Sequence, residues 1–245
     1  MTRRRWIADE VSGGRAALTG AHAEHLIRVL RVRVGQQFDV SANSVLYRAR
    51  VVAIGEQRVE FELEEELSAS STSLVQTTLL LSIIKFDRME WAIEKCTEVG
   101  IARCVPLIAA RTHVHLASAA RNRVERWRRI AREASEQARR ASPPEITDPL
   151  KLKEAVSLPS AKRIFLSESE NPSSTLMNVL NAHDSSLLLA IGPEGGWTAR
   201  EEELFRECGW TSASLGATIL RAETAAIVAA AIASQLQSRR ASQMQ

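Results

Sequence analysis

Residues 186–197 read Ser-Leu-Leu-Leu-Ala-Ile-Gly-Pro-Glu-Gly-Gly-Trp, a short apolar run that leads directly into a glycine-rich turn. Residues 211–224, Thr-Ser-Ala-Ser-Leu-Gly-Ala-Thr-Ile-Leu-Arg-Ala-Glu-Thr, repeat this arrangement. Each loop precedes a helical pattern, and open α/β sheets place their ligand sites at the carboxyl ends of strands. The sequence therefore predicts an α/β domain whose ligand site is formed by these two loops.

The pattern before these loops is also one of alternating strands and helices. Apolar runs predict strands at 75–84, 103–109 and 162–167, and the first is continuous, as in a strand buried on both faces of a parallel sheet. Asp87 and Glu90 have the spacing of a capping box, which predicts the start of a helix. Gly100 is a natural end for that helix. Thr198 with Glu201 repeats the capping-box spacing directly after the glycine-rich turn.

The first seventy residues differ from the rest. They contain one helical pattern at 21–31, followed by predicted strands at 37–40, 45–54 and 58–63. In the last of these, Val59, Phe61 and Leu63 alternate with charged residues, as in a half-buried antiparallel strand. Small polar residues at 68–73 are typical of a linker. We therefore expect two domains, a small β-barrel at 1–70 and an α/β domain at 74–245.

Composition excludes some classes of protein. With 245 residues, of which 45% are hydrophobic, the chain can bury a core, and its net charge of +3 permits a nucleic-acid partner without requiring one. Cys96, Cys104 and Cys208 form no Cys-x-x-Cys pair, which disfavours disulfides and zinc. His113 and His115 are two imidazoles without a third ligand nearby, so we predict no metal. With neither a signal peptide nor a spanning segment, a cytoplasmic protein is expected.

A helical segment at 121–140 is rich in arginine. It contains eight arginines and three glutamates. The arginines are at 121, 123, 126, 128, 129, 132, 139 and 140, and the glutamates are at 125, 133 and 136. One interpretation is a solvated surface helix, because charge runs usually have that role. The other is a surface that binds a polyanion.

The chemistry of the first loop follows from its glycines. In residues 192–196, paired glycines allow positive φ and let a flat ligand approach main-chain amides and carbonyls, which suits a nucleoside. The glycine spacings typical of phosphate-binding and dinucleotide-binding loops are absent. The alternative interpretation is a tight turn from strand to helix without a ligand.

The second loop carries charged residues at the start of a long helix. Arg221 could hold a developing negative charge there, while Glu223 could either accept a proton or only stabilise the helix amino terminus. The helix that follows, at 225–236, is apolar nearly all round, which predicts burial at a subunit interface.

Several motifs spread along the chain resemble those of one family. They are His-Leu-Ile-Arg-Val-Leu-Arg at 25–31, Lys-Cys-Thr-Glu-Val-Gly at 95–100, Glu-Gln at 136–137, Ile-Gly-Pro-Glu-Gly-Gly at 191–196, and the Leu-Gly and Ile-Leu-Arg-Ala-Glu-Thr-Ala sequences at 215–216 and 219–225. In this order they are similar to the RsmE family of SPOUT-superfamily methyltransferases. The resemblance implies S-adenosyl-L-methionine as cofactor and N3 of a uridine in 16S ribosomal RNA as the methylated atom.

The resemblance also implies an architecture and a set of site residues. A PUA-like β-barrel would precede a SPOUT α/β domain with a carboxy-terminal trefoil knot, in a homodimer that acts on 16S rRNA, alone or within the small ribosomal subunit. The expected cofactor-binding residues are Leu166, Ser167, Glu168, Ile191, Gly192, Pro193, Glu194, Gly195, Gly196, Leu215, Gly216, Ile219, Leu220, Arg221 and Thr224. The expected RNA-binding residues are Arg3, Arg4, Arg5, Arg28, Arg31 and Arg33.

For catalysis, the resemblance and the chemistry of uracil favour Arg221 as a clamp for the charge that builds on the uracil oxygen. Glu194 and Glu223 are alternative proton acceptors, and the sequence does not choose between them. The sequence departs from the family pattern at 39–43 in the barrel and at Thr218 at the rim of the cofactor site. Two other functions stay open: a SPOUT enzyme acting on another RNA, and a non-catalytic ribosome-assembly factor that binds RNA.

Overall fold

The computed structural model describes residues 5–67, 76–167, 175–181 and 184–243, with side chains described up to residue 236. The chain forms two compact units. One comprises Met1–Ser71 and Ser135–Pro143, and the other Thr72–Ala134 and Pro144–Gln245. The linker expected at 68–73 lies outside the described residues. No pattern in the sequence predicted that 135–143 belongs with the first unit.

The first unit is built on a six-stranded sheet with the order β1-β4-β5-β6-β3-β2. Its strands are β1 (Trp6–Ile7), β2 (Glu10–Ser12), β3 (Arg15–Thr19), β4 (Gln37–Ala42), β5 (Val45–Ile54) and β6 (Arg58–Glu66). All pairs are antiparallel except β1 with β4. Leu18, Val40, Val59 and Phe61 are fully buried in its core, which confirms the alternation predicted for β6.

The first unit also departs from the prediction. Strands β1, β2 and β3 were not predicted, because they are short and lack a clear periodicity. The helix predicted at 21–31 is divided into α1 (Gly20–Glu24) and a π-helical turn, His25–Val29. The chain leaves this turn with Arg31 at a φ of 49°, which ends the helical path.

Residues 135–143 are tied to the first unit by polar contacts of a buried glutamate. Glu136 is completely buried, and its Oε1 lies 3.5 Å from the Ile7 backbone N–H that donates to it. The Arg5 N–H donates to the Glu136 carbonyl at 3.2 Å. The Ser41 hydroxyl donates to the carbonyl of Ala141. The conformation of this segment is therefore set by contacts with β1 and β4.

The second unit contains a parallel sheet. Its strands are β7 (Gln76–Ser82), β8 (Arg103–Ile108), β9 (Glu145–Ile146), β10 (Leu150–Lys151), β11 (Lys162–Leu166), β12 (Ser186–Ile191) and β13 (Thr211–Ala213). The order is β10-β8-β7-β12-β11-β13, and β9 also pairs with β8. Along β7, Leu79 and Leu81 belong to one core cluster and Leu80 to another. This confirms a strand buried on both faces.

Helices cover both faces of this sheet. They are α2 (Phe86–Val99), α3 (Val114–Ala119), a 3-10 turn at Ala120–Arg123, α4 (Val124–Gln137), α5 (Leu152–Ala155), α6 (Leu176–Val179), α7 (Ala199–Glu207) and α8 (Ala222–Gln243). On one face Met89, Trp127 and Ala226 bring α2, α4 and α8 into the core. On the other, Leu152 and Phe205 bring in α5 and α7.

Two capping boxes were predicted, and one of them was wrong. Thr198 does cap α7, because its hydroxyl accepts from the Glu201 N–H while the Glu201 carboxylate accepts from the Thr198 N–H. In α2 the helix begins at Phe86, before Asp87. Glu90 is instead drawn to Arg126, which donates to both of its oxygens at 2.6 and 2.7 Å. The Glu90 carboxylate, which the local spacing assigned to a helix cap, is thus part of a long-range ion pair.

Within the ranges that the structure describes, no helix is long and apolar enough to cross a membrane. The same ranges contain no cluster of three or more histidine, cysteine, aspartate or glutamate side chains that could hold a metal ion. The rings of His113 and His115 lie 5.6 Å apart beside α3. Cys96 and Cys104 are free and buried, and Cys208 is free and half-buried.

Candidate functional site

Three parallel neighbours, β12, β11 and β13, end at the same edge of the sheet. Phe165 pairs with Ala190 and Leu166 with Ala213, so the residues that follow each strand meet there. They enclose a cavity of ≈ 850 Å³. This volume lies within the roughly 300–1,000 Å³ typical of small-molecule sites. The cavity thus lies at the two loops that the sequence predicts to form a ligand site.

The cavity brings together most of the residues expected to bind the cofactor. Its lining includes Leu166, Ser167, Ile191, Gly192, Pro193, Glu194, Gly196, Leu215, Gly216, Ile219, Leu220 and Arg221. Gly195, Glu223 and Thr224 are not among the lining residues. Glu168 lies outside the described residues. Thr175, Trp197, Glu202 and Ser214 also line the cavity, although the sequence analysis did not select them.

Trp197 joins the glycine-rich loop to the end of β11. Its indole Nε1–H donates to the Leu166 carbonyl at 2.8 Å, and its ring lies 4.9 Å from that of Phe205 in an edge-on arrangement. A Cβ on Gly192 would stand 3.3 Å from the Trp197 ring. The close approach of the indole therefore favours glycine at 192, because the ring would have to shift to admit a side chain. The position of Trp197 directly after two glycines is the sequence signal from which its place in the cavity wall could have been predicted.

A second brace holds the same loop from the end of β8. The Arg111 guanidinium donates to the carbonyls of Gly195 and, at 3.3 Å, of Trp197. The neighbouring Ala110 N–H donates to Glu201 Oε1 at 2.7 Å. The loop is therefore fixed by side chains on both sides, so its backbone groups are positioned before a ligand arrives.

The second loop turns sharply before it enters α8. Gly216 has a φ of 122°, in the region that favours glycine. Arg221 occupies the residue before α8, where its carbonyl accepts from the Ala225 N–H at 2.8 Å, and its side chain is exposed. The amino terminus of a long helix, with Ala222 and Ala225, thus forms part of the cavity wall. Unpaired N–H groups at such a terminus favour negative charge.

The charged groups of the site are centred on Arg88, in the first turn of α2. Its Nη1 donates to Glu194 Oε1, and its Nε lies 3.8 Å from Glu223 Oε1. Glu223 is only 6% exposed, and its Oε2 has no hydrogen-bond partner in the described part of the chain. Arg88 could not be identified from the sequence, because 106 residues separate it from Glu194 and no local spacing links them.

The arginines expected to bind RNA have different surroundings in the first unit. The Arg5 guanidinium donates to the Arg139 carbonyl, and burial lowers the pKa of Arg5, although Asp39 opposes this. Arg28 forms an ion pair with Glu24 at 2.8 Å and stays largely exposed. Arg31 and Arg33 are exposed. Arg3 and Arg4 lie outside the described residues.

The arginine-rich segment is partly neutralised within the second unit. Arg126 pairs with Glu90, Arg128 with Glu125, and the Arg123 guanidinium lies 4.8 Å from the centre of the Phe86 ring. Arg121 and Arg129 are exposed. The helix packs into the core of the second unit through Val124, Trp127 and Ala131.

Two family models match the chain. Residues 71–234 match an RNA methyltransferase domain, and residues 18–64 match an RNA methyltransferase PUA domain. The first match contains all three strands and both loops that form the cavity. The second contains β4, β5 and most of β6.

Similar proteins include ribosomal RNA small subunit methyltransferase E of Rickettsia conorii, 30% identical over 86% of this chain and 85% of that protein. The protein of the same name from Synechocystis is 32% identical over 91% of this chain and 74% of its own. Among solved structures, ribosomal RNA small subunit methyltransferase E of Neisseria gonorrhoeae bound to S-adenosyl methionine is 30% identical, with a TM-score of 0.81 over 94% of this chain and 95% of that one. A Legionella pneumophila protein solved with bound SAM has 27% identity and a TM-score of 0.82, covering 97% of each chain.

Proposed function

The chain belongs to the ribosomal RNA small subunit methyltransferase E family, and we propose that it transfers the methyl group of S-adenosyl-L-methionine to N3 of a uridine in 16S rRNA. One observation carries the proposal. The two loops that define the cavity are the loops that resemble the family, and similar structures were solved with S-adenosylmethionine bound.

The residues present fit this cofactor. The cavity has room for a nucleoside with an amino-acid tail, and Ile191, Leu215 and Leu220 supply apolar walls for a flat base. Glycines at 192, 195 and 196 leave the backbone of this loop without side chains that would cover it. Leu166 and Ser167 at the end of β11, the loop at 192–196 and the loop at 215–221 would hold the adenosyl group.

When bound, S-adenosylmethionine supplies an electrophilic methyl carbon, whose bond to sulfur breaks with its electron pair left on sulfur. The residues of this chain must align uracil N3 with that carbon and manage the N3 proton. Alignment alone can contribute about 7–11 kcal/mol to lowering the barrier. Arg221, exposed at the cavity wall, is suited to hold the negative charge on a uracil oxygen.

Glu194 is the better supported of the two proton acceptors. It lines the cavity, and its side chain is 35% exposed, so a proton taken from N3 could pass on to water. Proton transfer to a positioned side chain typically contributes about 100- to 10,000-fold in rate. Glu223 is buried and does not line the cavity, which favours a different role for it.

Binding of RNA would divide between the two units. Arg28, Arg31 and Arg33 in the first unit, and Arg121 and Arg129 in the second, are exposed cations suited to phosphate oxygens. Such contacts fix the position of an RNA without reading its sequence, and they weaken as salt rises. Recognition of the one target uridine would then depend on the shape of the RNA.

Three finer features complete the proposal. The chain passes from β11 to β12 and then returns to pair β13 on the other side of β11, a path consistent with the trefoil knot implied by the resemblance. Val228, Ala231 and Gln235 form a stripe of α8 that is not fully buried, which supports a homodimer. The first unit would act as a PUA-like RNA-binding domain at 1–70, before a methyltransferase domain at 74–245 in a cytoplasmic enzyme.

Calorimetric titration of the purified protein with S-adenosylmethionine tests the first step, and binding at one site per chain is expected. Mass mapping of ribosomal RNA from a deletion strain should then show the loss of one base methyl on a 16S uridine. Absence of binding would favour an assembly factor without catalysis. A methyl lost from another RNA, or from a ribose, would overturn the target.

A further inference from the structure

Arg88 occupies a position that helix stability does not explain. It lies in the first turn of α2, where the partial positive charge of the helix terminus disfavours a cation. Its side chain lines the cavity and is held by two carboxylates, Glu194 and Glu223. The two carboxylates offset the unfavourable position, so the arrangement serves to hold a guanidinium at the cavity wall.

Glu223 has the surroundings of a supporting group. A buried carboxylate is costly unless a cation is close, and among the residues that the structure describes Arg88 forms an ion pair with Glu223, at 3.8 Å. A proton acceptor that turns over must receive its proton from the substrate and release it to water. Glu223 is 6% exposed and does not line the cavity, so its carboxylate is poorly placed for either transfer.

The proposed substrate has use for a second guanidinium. Uracil N3 lies between two carbonyl groups, and loss of its proton spreads negative charge over N3 and both oxygens. Arg221 could cover one oxygen from the loop before α8. A cation that enters the cavity from a different element, α2, would be suited to the other.

We propose that Arg88 is a second substrate-facing guanidinium, which stabilises the uracil anion, and that Glu223 is a positioning residue that holds Arg88 in the cavity. This inference rests on the proposed uridine N3 function. The N3 proton is transferred to Glu194 or to water. The N3 electron pair then forms the new bond to the methyl carbon, while the bond between that carbon and sulfur breaks and leaves its electron pair on sulfur.

The test is the single-turnover rate of methyl transfer to small ribosomal subunits from a strain that lacks the enzyme, from about pH 6.5 to about pH 9.5. Arg88→Gln should lower the rate about 100-fold near neutral pH, as expected for loss of one donor to a developing oxyanion. The defect should shrink as pH rises, because the imide then ionises without help. The rate of Arg88→Lys should lie between those of the wild type and Arg88→Gln, since lysine keeps the positive charge but lacks the planar guanidinium.

Arg103→Gln is the matched control. It removes another arginine–glutamate pair of the second unit, that with Glu145, and Arg103 does not line the cavity. It should leave the rate and its pH dependence unchanged. A loss for Arg88→Gln that is equal at every pH, or no loss, would overturn the role of Arg88. If the wild type itself neither bound S-adenosylmethionine by calorimetry nor transferred a methyl group, the proposed function would have failed instead.

The role of Glu223 is tested by combining variants. If Glu223 acts only through Arg88, Glu223→Gln should lower the rate about tenfold with the same pH dependence, and Arg88→Gln with Glu223→Gln together should be no slower than Arg88→Gln alone. Multiplied losses in the double variant would show that Glu223 acts independently. A lowered thermal midpoint with unchanged kinetics would show a role in the helix terminus only.

Discussion

At the scale of single residues, Gly192 and Trp197 form a close contact at the wall of the cavity. The indole fills the space that a side chain at 192 would need, and its N–H fixes the end of β11. Two of the three strand ends are thus connected by one side chain. A change at 192 is transmitted to Leu166 through the indole.

Gly192→Ala should therefore weaken cofactor binding. The added methyl would meet the Trp197 ring at 3.3 Å, so the indole must move by a few tenths of an ångström, and we expect the Kd for S-adenosylmethionine to rise about tenfold. Titration calorimetry measures the change. Gly55→Ala is the control, because its Cβ would lie at an ordinary 3.6 Å from the Arg58 carbonyl oxygen. Equal affinities for the two variants would contradict the packing argument.

Arg221→Ala should slow methyl transfer more than it weakens cofactor binding. The side chain is exposed at the cavity wall, so its loss costs little in folding, whereas loss of one charge-stabilising donor typically lowers the rate about 100- to 1,000-fold. Single-turnover methylation and calorimetry on the same preparation separate the two effects. A variant that bound the cofactor normally and methylated RNA at the wild-type rate would refute the role of Arg221.

At the scale of elements, the amino terminus of α7 connects the glycine-rich loop with the end of β8. The buried Glu201 carboxylate accepts hydrogen bonds from the N–H and hydroxyl of Thr198 and from the Ala110 N–H. A single carboxylate thereby caps the helix and fixes a neighbouring loop. The capping box is for this reason part of the support of the cavity.

Glu201→Ala should lower the free energy of unfolding by about 2 kcal/mol, because it removes a cap and leaves buried donors unpaired. It should also weaken cofactor binding, since the loop loses one anchor. Urea unfolding followed by circular dichroism gives the first value. The exposed Glu203 on the same helix offers the comparison, and Glu203→Ala should change stability by less than about 0.5 kcal/mol.

The arginine-rich segment should contribute to RNA affinity through its exposed members. Replacing Arg121 and Arg129 together with glutamate should weaken binding of 16S rRNA and reduce the dependence of log K on log salt by about 2, one for each lost phosphate contact. Filter binding over a salt series measures both. Replacing the exposed Glu133 with glutamine is the control for altered helix charge. An unchanged salt slope would favour the interpretation as a solvated surface helix.

At the scale of the whole molecule, buried thiols make stability depend on pH. Burial raises the pKa of the Cys104 thiol to about 12, whereas an unfolded cysteine ionises near about 8.5. The folded state therefore holds this proton more tightly. Its contribution is complete below the unfolded pKa and is lost as pH rises toward the folded value.

The measurement compares wild type with Cys104→Ala by urea unfolding at several pH values. Above about pH 8.5 the stability advantage of the wild type should shrink by about 1.4 kcal/mol per pH unit. Cys96 is present in both proteins, and burial, rather than the smaller effect of Cys104, is the main cause of its raised pKa. An advantage that does not change with pH would contradict the burial argument.

Much of the fold could be predicted because its signals are local. The continuous apolar run of β7, the alternation in β6, the helix end at Gly100 and the capping box of α7 were each read from spacing and agree with the structure. The capping box assigned to Asp87 and Glu90 failed because α2 begins at Phe86, with Lys85 at the cap position, and Glu90 pairs instead with Arg126, distant in sequence. A local pattern cannot show a competing long-range partner.

The sequence by itself determined which loops form the cavity, because glycine loops after apolar runs place their residues at the carboxyl ends of strands. Only the tertiary structure decided which charges act together. It brought Arg88 to Glu194 and Glu223, buried one of the two candidate proton acceptors, and tied Glu136 to β1. The physical reason is that backbone conformation follows from neighbours along the chain, whereas burial and ion pairing follow from neighbours in space.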